Sequence, residues 1–296
     1  MSTGSDELVT PGSPVRRVLV MGASGKTGRA VTGALAARGF CVRAAVRSPA
    51  SAQAVYAAGA GELAVLDLAS GAGVEGALDG VWGVYHLAPN VHPDEVEMAR
   101  LVADAAARQG VQRLVFHSVL HPDDASMPHH LRKARAEEVV RASGVPWTVL
   151  RPAAYHQNLL PAALSGSISV PYSLDSPFSN VDLGDVAAVA ATVLSEAGHE
   201  RQTYDLAGPE VLSVREMAAQ ASEVLGRPVT AAQTPRGDWL AGPGTGLPED
   251  ARRDLLAMFS TYDREGLVGG NAWLWALLGH RPTTWAEAVA ASRNTP

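Results

Sequence analysis

A short apolar run, Arg17–Met21 (RVLVM), leads into Gly22-Ala-Ser-Gly25-Lys-Thr-Gly28, and directly afterwards Val31, Leu35 and Ala36 fall at helical spacing. An unbroken apolar run of this length marks a strand buried on both faces of a parallel sheet. Gly22 permits the tight turn out of the strand, Gly25 lets a pyrophosphate approach the backbone, and Gly28 lets the helix pack closely on the strand. Free N–H groups at the helix N-terminus then face the phosphates. With Ser24, Lys26 and Thr27, these glycines form the expected cofactor-binding loop. It is not the P-loop of NTPases, because Gly-Lys-Thr lacks the first glycine at the required spacing.

The alternation continues. Phe40–Val46, Glu62–Leu66, Val81–Leu87, Arg113–Ser118 and Trp147–Arg151 read as strands, with helices over Asp94–Arg108 and His130–Ala142. The expected fold class is therefore α/β, a doubly wound parallel sheet of Rossmann type with a smaller C-terminal substrate-binding region. Residues 153–181 are rich in Pro, Ser and Tyr and read as a loop over a pocket. A helix starts near Asp185, Gln202–Leu206 is a strand, and helices cover 213–225, 249–259 and 283–292. The expected division is a flexible tail at 1–15, an NADP-binding core at 16–155, and a substrate-binding region at 156–296 with segments returning to the core.

Composition narrows the function classes. A net charge of −6 argues against a nucleic-acid partner. One cysteine, Cys41, excludes a disulfide framework, so the reducing cytoplasm is the expected location. The first fifteen residues lack the apolar core of a signal peptide, and runs such as Val186–Leu194 are too short to span a bilayer, so no membrane is expected. The expected partner is a small-molecule substrate; a homodimer is left open.

The end of the second strand speaks to the cofactor. An acidic residue there would hold ribose hydroxyls, but the strand ends Val46-Arg47-Ser48, with Arg43 earlier on the same face. A guanidinium and a hydroxyl suit the 2′-phosphate of NADP(H). Asp67 and Leu68 are placed to border the adenine, and Ala88, Pro89 and Asn90 to line the path toward the nicotinamide.

The loop spacing Gly-x-x-Gly-x-x-Gly resembles the short-chain dehydrogenase/reductase superfamily. Its members usually pair a Ser with Tyr-x-x-x-Lys. Here Ser118 ends the fifth strand and Lys133 follows, but His129 stands where the tyrosine is expected. Either His129 replaces the tyrosine, Lys133 itself handles the proton, or no proton is transferred; an imidazole, which titrates near neutrality, can serve. Of 24 basic residues only Lys26 and Lys133 are lysines, one in the phosphate loop and the other at this position.

Together with VLVMGASGKTGRAV, AAVRSP, the Lys133-to-Glu137 helix and Gly144-Val-Pro-Trp-Thr-Val-Leu-Arg151-Pro152, the chain resembles the NmrA-like group of atypical short-chain reductases. Val181-Asp182-Leu-Gly-Asp185-Val, Tyr204-Asp-Leu-Ala-Gly208-Pro209 and Leu277–Trp285 extend the resemblance over nearly the whole chain. It implies a cofactor cleft that includes Pro152, with substrate between the sheet end and the C-terminal region. Tyr155, His156 and Asn158 are expected to face that substrate with Asn90. No metal site is expected: His117-x-x-x-His121 starts on a strand, unlike a helical zinc pair, and three of the five histidines between 117 and 156 are expected at the surface or behind the site. Trp239, Trp273, Trp275 and Trp285 are expected in core or lid packing.

The leading expectation is an NADPH-dependent reductase of a small apolar carbonyl, quinone, imine or enone, with Lys133 and His129 at the proton and Ser118 orienting the acceptor. The alternatives are a non-redox isomerase or cyclase that retains the dinucleotide, and an NADP(H)-sensing regulator without turnover.

Overall fold

Period-two burial along the strands sorts the core into two layers. Val18, Val20, Tyr85 and Val115 pack on one side of a sheet, and Leu19, Val84, Leu114 and Phe116 on the other. In the computed structural model, which describes residues 16–293, that sheet comprises β1 (Arg17–Val20), β2 (Cys41–Val46), β3 (Glu62–Val65), β4 (Gly83–His86), β5 (Arg113–His117), β6 (Trp147–Pro152) and, after β7 (Ser167–Val170), β8 (Gln202–Leu206). The segment 1–15, expected as a tail, lies outside the described residues.

The strand order is β3-β2-β1-β4-β5-β6-β8 and each pair is parallel, giving the expected doubly wound sheet. The order reverses between β1 and β4, which opens a crevice at their carboxyl ends. Helices α1 (Lys26–Ala37), α2 (Ala52–Ala57), α3 (Val74–Ala77), α4 (Glu95–Arg108) and α5 (Pro128–Ala142) lie between the first six strands. After them come α6 (Leu160–Ser165), α7 (Leu183–Ser195), α8 (Val214–Leu225), β9 (Thr230–Gln233), α9 (Arg236–Ala241), α10 (Glu249–Glu265), α11 (Ala272–Leu278) and α12 (Trp285–Ser292). α1 and α7 cover one face of the sheet, and α4 and α5 the other. Among the described residues no helix is long and apolar enough to cross a membrane.

Residues 153–181 are not the continuous loop expected. α6 begins with Pro161 in its first turn, where the missing N–H is harmless, and it buries Leu160 and Ala163. Gly166, in the left-handed region at φ 100°, ends it. β7 follows and pairs in parallel with β9 as a small second sheet. α10 also runs beyond the expected end at 259, burying Thr261 and Tyr262 in its last turns.

Candidate active site

β1 turns into α1 through Gly22, whose φ of +63° suits glycine. A Cβ on Gly28 would lie 2.2 Å from the Gly22 carbonyl oxygen and 2.6 Å from the Ala23 Cα, so only glycine lets α1 sit this close to β1. No side chain caps the α1 N-terminus, which leaves its N–H groups open to an anion. The loop borders a cavity of about 730 Å³ along the carboxyl ends of the strands.

Arg47, exposed beyond β2, lines this cavity and makes no ion pair among the described residues. Asp67 and Leu68 lie alongside it. The Ser70 hydroxyl and the Ala69 N–H donate to the Asp67 carboxylate and hold it below the usual carboxylate range. Two neighbours behave differently from the sequence expectation. The Ser48 hydroxyl accepts the Ala50 N–H at 3.3 Å, capping a short turn away from the cavity. Arg43 is occupied by Glu62 at 2.7 Å and by the carbonyls of Ala77 and Asp79.

Lys26 leaves the phosphate loop to donate to Asn158 Oδ1 at 2.6 Å and the Gln157 carbonyl at 3.4 Å. It thereby ties the loop to the segment after β6, and burial lowers its pKa below the ordinary lysine value. Ala88, Pro89 and Asn90 line the cavity after β4, as do Pro152 at the end of β6 and Tyr155 beyond it.

The reactive end lies between β4, β5 and α5. Lys133 Nζ donates to the His117 carbonyl at 2.9 Å and forms an ion pair with Glu95 of α4. His129 lines the cavity in the first turn of α5, 7% exposed, and its Nδ1 has no partner. Burial, helped by His130, Lys133 and Arg132, drives its pKa down to about 3, so its ring is neutral. The His117 ring hydrogen-bonds two phenols, Tyr85 at Nδ1 and Tyr155 at Nε2, the latter at 2.7 Å. Burial and then Lys133 lower its pKa to about 3 as well.

Other expected residues are turned elsewhere. Ser118 borders the cavity, but its hydroxyl donates to Glu137, a buried carboxylate also held by Arg141 and Arg151. His156 does not reach the cavity. It is 2% exposed, packs on Trp285 and hydrogen-bonds the Thr283 carbonyl at 3.4 Å. Of the five histidines between 117 and 156, His117, His129 and His130 line the cavity, His156 is buried behind it and His121 is exposed, so two rather than the expected three lie at the surface or behind the site. Trp239 and Trp285 are buried, whereas Trp273 and Trp275 of α11 are exposed.

Sequence reasoning missed Glu95, Tyr85, His117 and the far wall of the cavity. That wall is α10, which presents Leu255, Met258, Phe259 and Tyr262, with Tyr172 beside them. The three- and four-residue spacing of this stripe was its signal.

The family model described as "NmrA-like family" matches residues 14–288. Quinone oxidoreductase 2 of Escherichia coli is 31% identical over 280 residues, covering 92% of this chain and 97% of that protein. NAD(P)H azoreductase of Xenophilus azovorans is 33% identical over 280 residues, covering 93% and 97%. The crystal structure of an NADPH-dependent quinone oxidoreductase from Escherichia coli complexed with NADPH superposes with a TM-score of 0.79 at 30% identity, over 94% of this chain and 100% of that one.

Proposed function

We propose, from the premise that this chain belongs to the NmrA-like family, that it is an NADPH-dependent oxidoreductase acting on a small, apolar carbonyl, quinone, imine or enone. The reading rests on one cavity that joins an uncapped helix N-terminus and the unpaired Arg47 to an apolar wall around Lys133. Arg47 would meet the 2′-phosphate, while Gly25, Lys26 and the α1 N-terminus would hold the pyrophosphate. Bound NADPH supplies hydride to the acceptor.

The chain's own residues position that acceptor and keep water out. Reduction of a carbonyl or quinone by hydride also consumes one proton. His129, neutral through burial, polarises the acceptor oxygen by a hydrogen bond and does not act as a charged acid. Lys133 is the cavity-lining ammonium at this end and passes the proton, directly or through water. Ser118, engaged by Glu137, supports the end of β5.

Incubation with NADPH deuterated at C4 and a panel of quinones, imines and enones tests the reading. Deuterium is expected on carbon in a reduced imine or enone; for a quinone, whose hydroquinone O–D exchanges with water, the expected readout is NADPH oxidation matched by hydroquinone formed. Tight NADPH binding with no consumption by any acceptor would show the reductase reading to be wrong.

A further inference from the structure

We propose that Glu95, by neutralising the cavity-lining Lys133, makes the acceptor end favour uncharged, flat acceptors over anionic ones such as sulfonated rings. This rests on the reductase reading above and deepens it.

The shape of the end comes from α10. Leu255, Met258, Phe259 and Tyr262 fall three, four and seven residues apart, so one helix face lines the cavity. Tyr172 completes the wall, its ring 5.4 Å from Tyr262 edge-on and 6.0 Å from Phe259. Such a surface takes the face or edge of a planar ring and offers no charge.

The charges around it cancel in pairs. Lys133 is matched by Glu95, which is 1% exposed. Arg132, the next residue along α5, pairs with Asp254 of α10, also 1% exposed. Lys26 belongs to the phosphate loop and is held by Asn158, and Arg47 lies beyond β2. His129 and His130 line the cavity as neutral rings, their pKa values lowered by burial to about 3 and about 4.

An anionic acceptor entering this end would leave water without meeting an uncompensated cation. A neutral carbonyl would instead lie against the neutral His129 ring, which lines the cavity, at a smaller cost in lost hydration. A lysine without its glutamate would attract anions, so the choice of acceptor charge falls on Glu95.

The test compares a naphthoquinone sulfonate with the sulfonamide of the same shape, which is uncharged. The ratio of kcat/KM values should favour the sulfonamide by about a hundredfold in the wild type, and by about tenfold or less in Glu95→Gln. Leu255→Lys, which adds a cation on α10 and leaves the buried pair intact, should narrow the ratio similarly. It keeps the test decisive if Glu95→Gln does not fold. Calorimetric binding of both compounds to the protein saturated with tetrahydro-NADPH, whose ring is uncharged and gives no hydride, should show the same preference. Wild-type ratios within about threefold, or a folded Glu95→Gln that keeps the full preference, would overturn the proposal. If neither compound is reduced but the sulfonamide still binds about a hundredfold more tightly, the reductase reading fails and the charge selection stands.

Discussion

Lys133 and Glu95 meet across the gap between α5 and α4, the lysine 12% exposed and the glutamate 1%. Burying two charges offsets most of their mutual attraction, so the intact pair adds little net stability. Removing one partner strands the other in a poorly solvated site. Glu95→Leu should therefore destabilise the fold by about 3–5 kcal/mol, and Lys133→Met by a comparable amount. The double variant should recover most of that loss. Urea unfolding of the four proteins reads the coupling, and a double variant whose loss equals the sum of the two singles would refute it.

Arg47 gives a second expectation. It lines the cavity, is exposed and makes no ion pair among the described residues, so its guanidinium is available to a phosphate. One charge-assisted contact of this kind corresponds to about 1.5–3 kcal/mol, or roughly ten- to a hundredfold in affinity. Arg47→Ala should weaken NADPH by that factor and NADH by no more than about threefold. Titrating the variant with both nucleotides decides it: equal losses would mean that Arg47 does not read the 2′-phosphate. Arg43→Ala should not change the preference, because Arg43 is committed to Glu62.

The sheet, the glycine loop and Lys133 were legible because each is written in neighbouring residues: apolar runs, glycine punctuation and a single lysine on a helix. What local pattern could not supply was the partner across the fold. Glu95 opens a surface-looking helix, and nothing near it in sequence announces that its carboxylate is buried against Lys133. Strand parity separates His117 from His86. His117 faces the α1 side and meets two phenols, while His86 faces the opposite layer against Phe116. His156 looked like a site residue because it follows β6, but the short turn after Tyr155 directs it to Trp285. In α6 the proline that suggested a loop sits in the one turn of a helix that tolerates it.

Gly28 should be the least replaceable position in the loop. The atoms that an added Cβ would strike are the Gly22 carbonyl and the Ala23 Cα, both backbone, so no side chain can swing aside. Gly28→Ala must push α1 away from β1 or distort the turn, at a cost of about 1–3 kcal/mol or more. NADPH binding should be lost, since the same backbone forms the phosphate site. Gly39→Ala is the control for a glycine outside the loop, with open space around its Cβ although its φ is positive. It should lose some stability but keep NADPH affinity. Wild-type affinity in Gly28→Ala would contradict the role given to the close contact.

Of the five histidines buried among the described residues, four have pKa values lowered far enough to set the response to acid. Burial, seconded by the Lys133 charge, lowers His86 and His117 to about 3; burial and the neighbouring His130 lower His129 to about 3; burial lowers His130 to about 4. Each folded-state value lies below the unfolded one near 6.5, so the unfolded chain binds more protons throughout that interval. Their contribution is complete above about pH 6.5 and is lost as the pH falls toward about 3, each histidine adding up to about 1.4 kcal/mol per pH unit. Unfolding between about pH 6 and 4 should accordingly take up more than two protons, read from urea midpoints across that range. His86 isolates one of them, because neither of its nitrogens has a partner and its ring stacks on Phe116 at 5.6 Å. His86→Leu should remove one proton from the uptake and raise stability near pH 5 by about 2 kcal/mol. A flat midpoint across this range would show that the buried rings do not govern acid stability. An unchanged pH dependence in His86→Leu would show that the folded protein does not hold His86 neutral against acid.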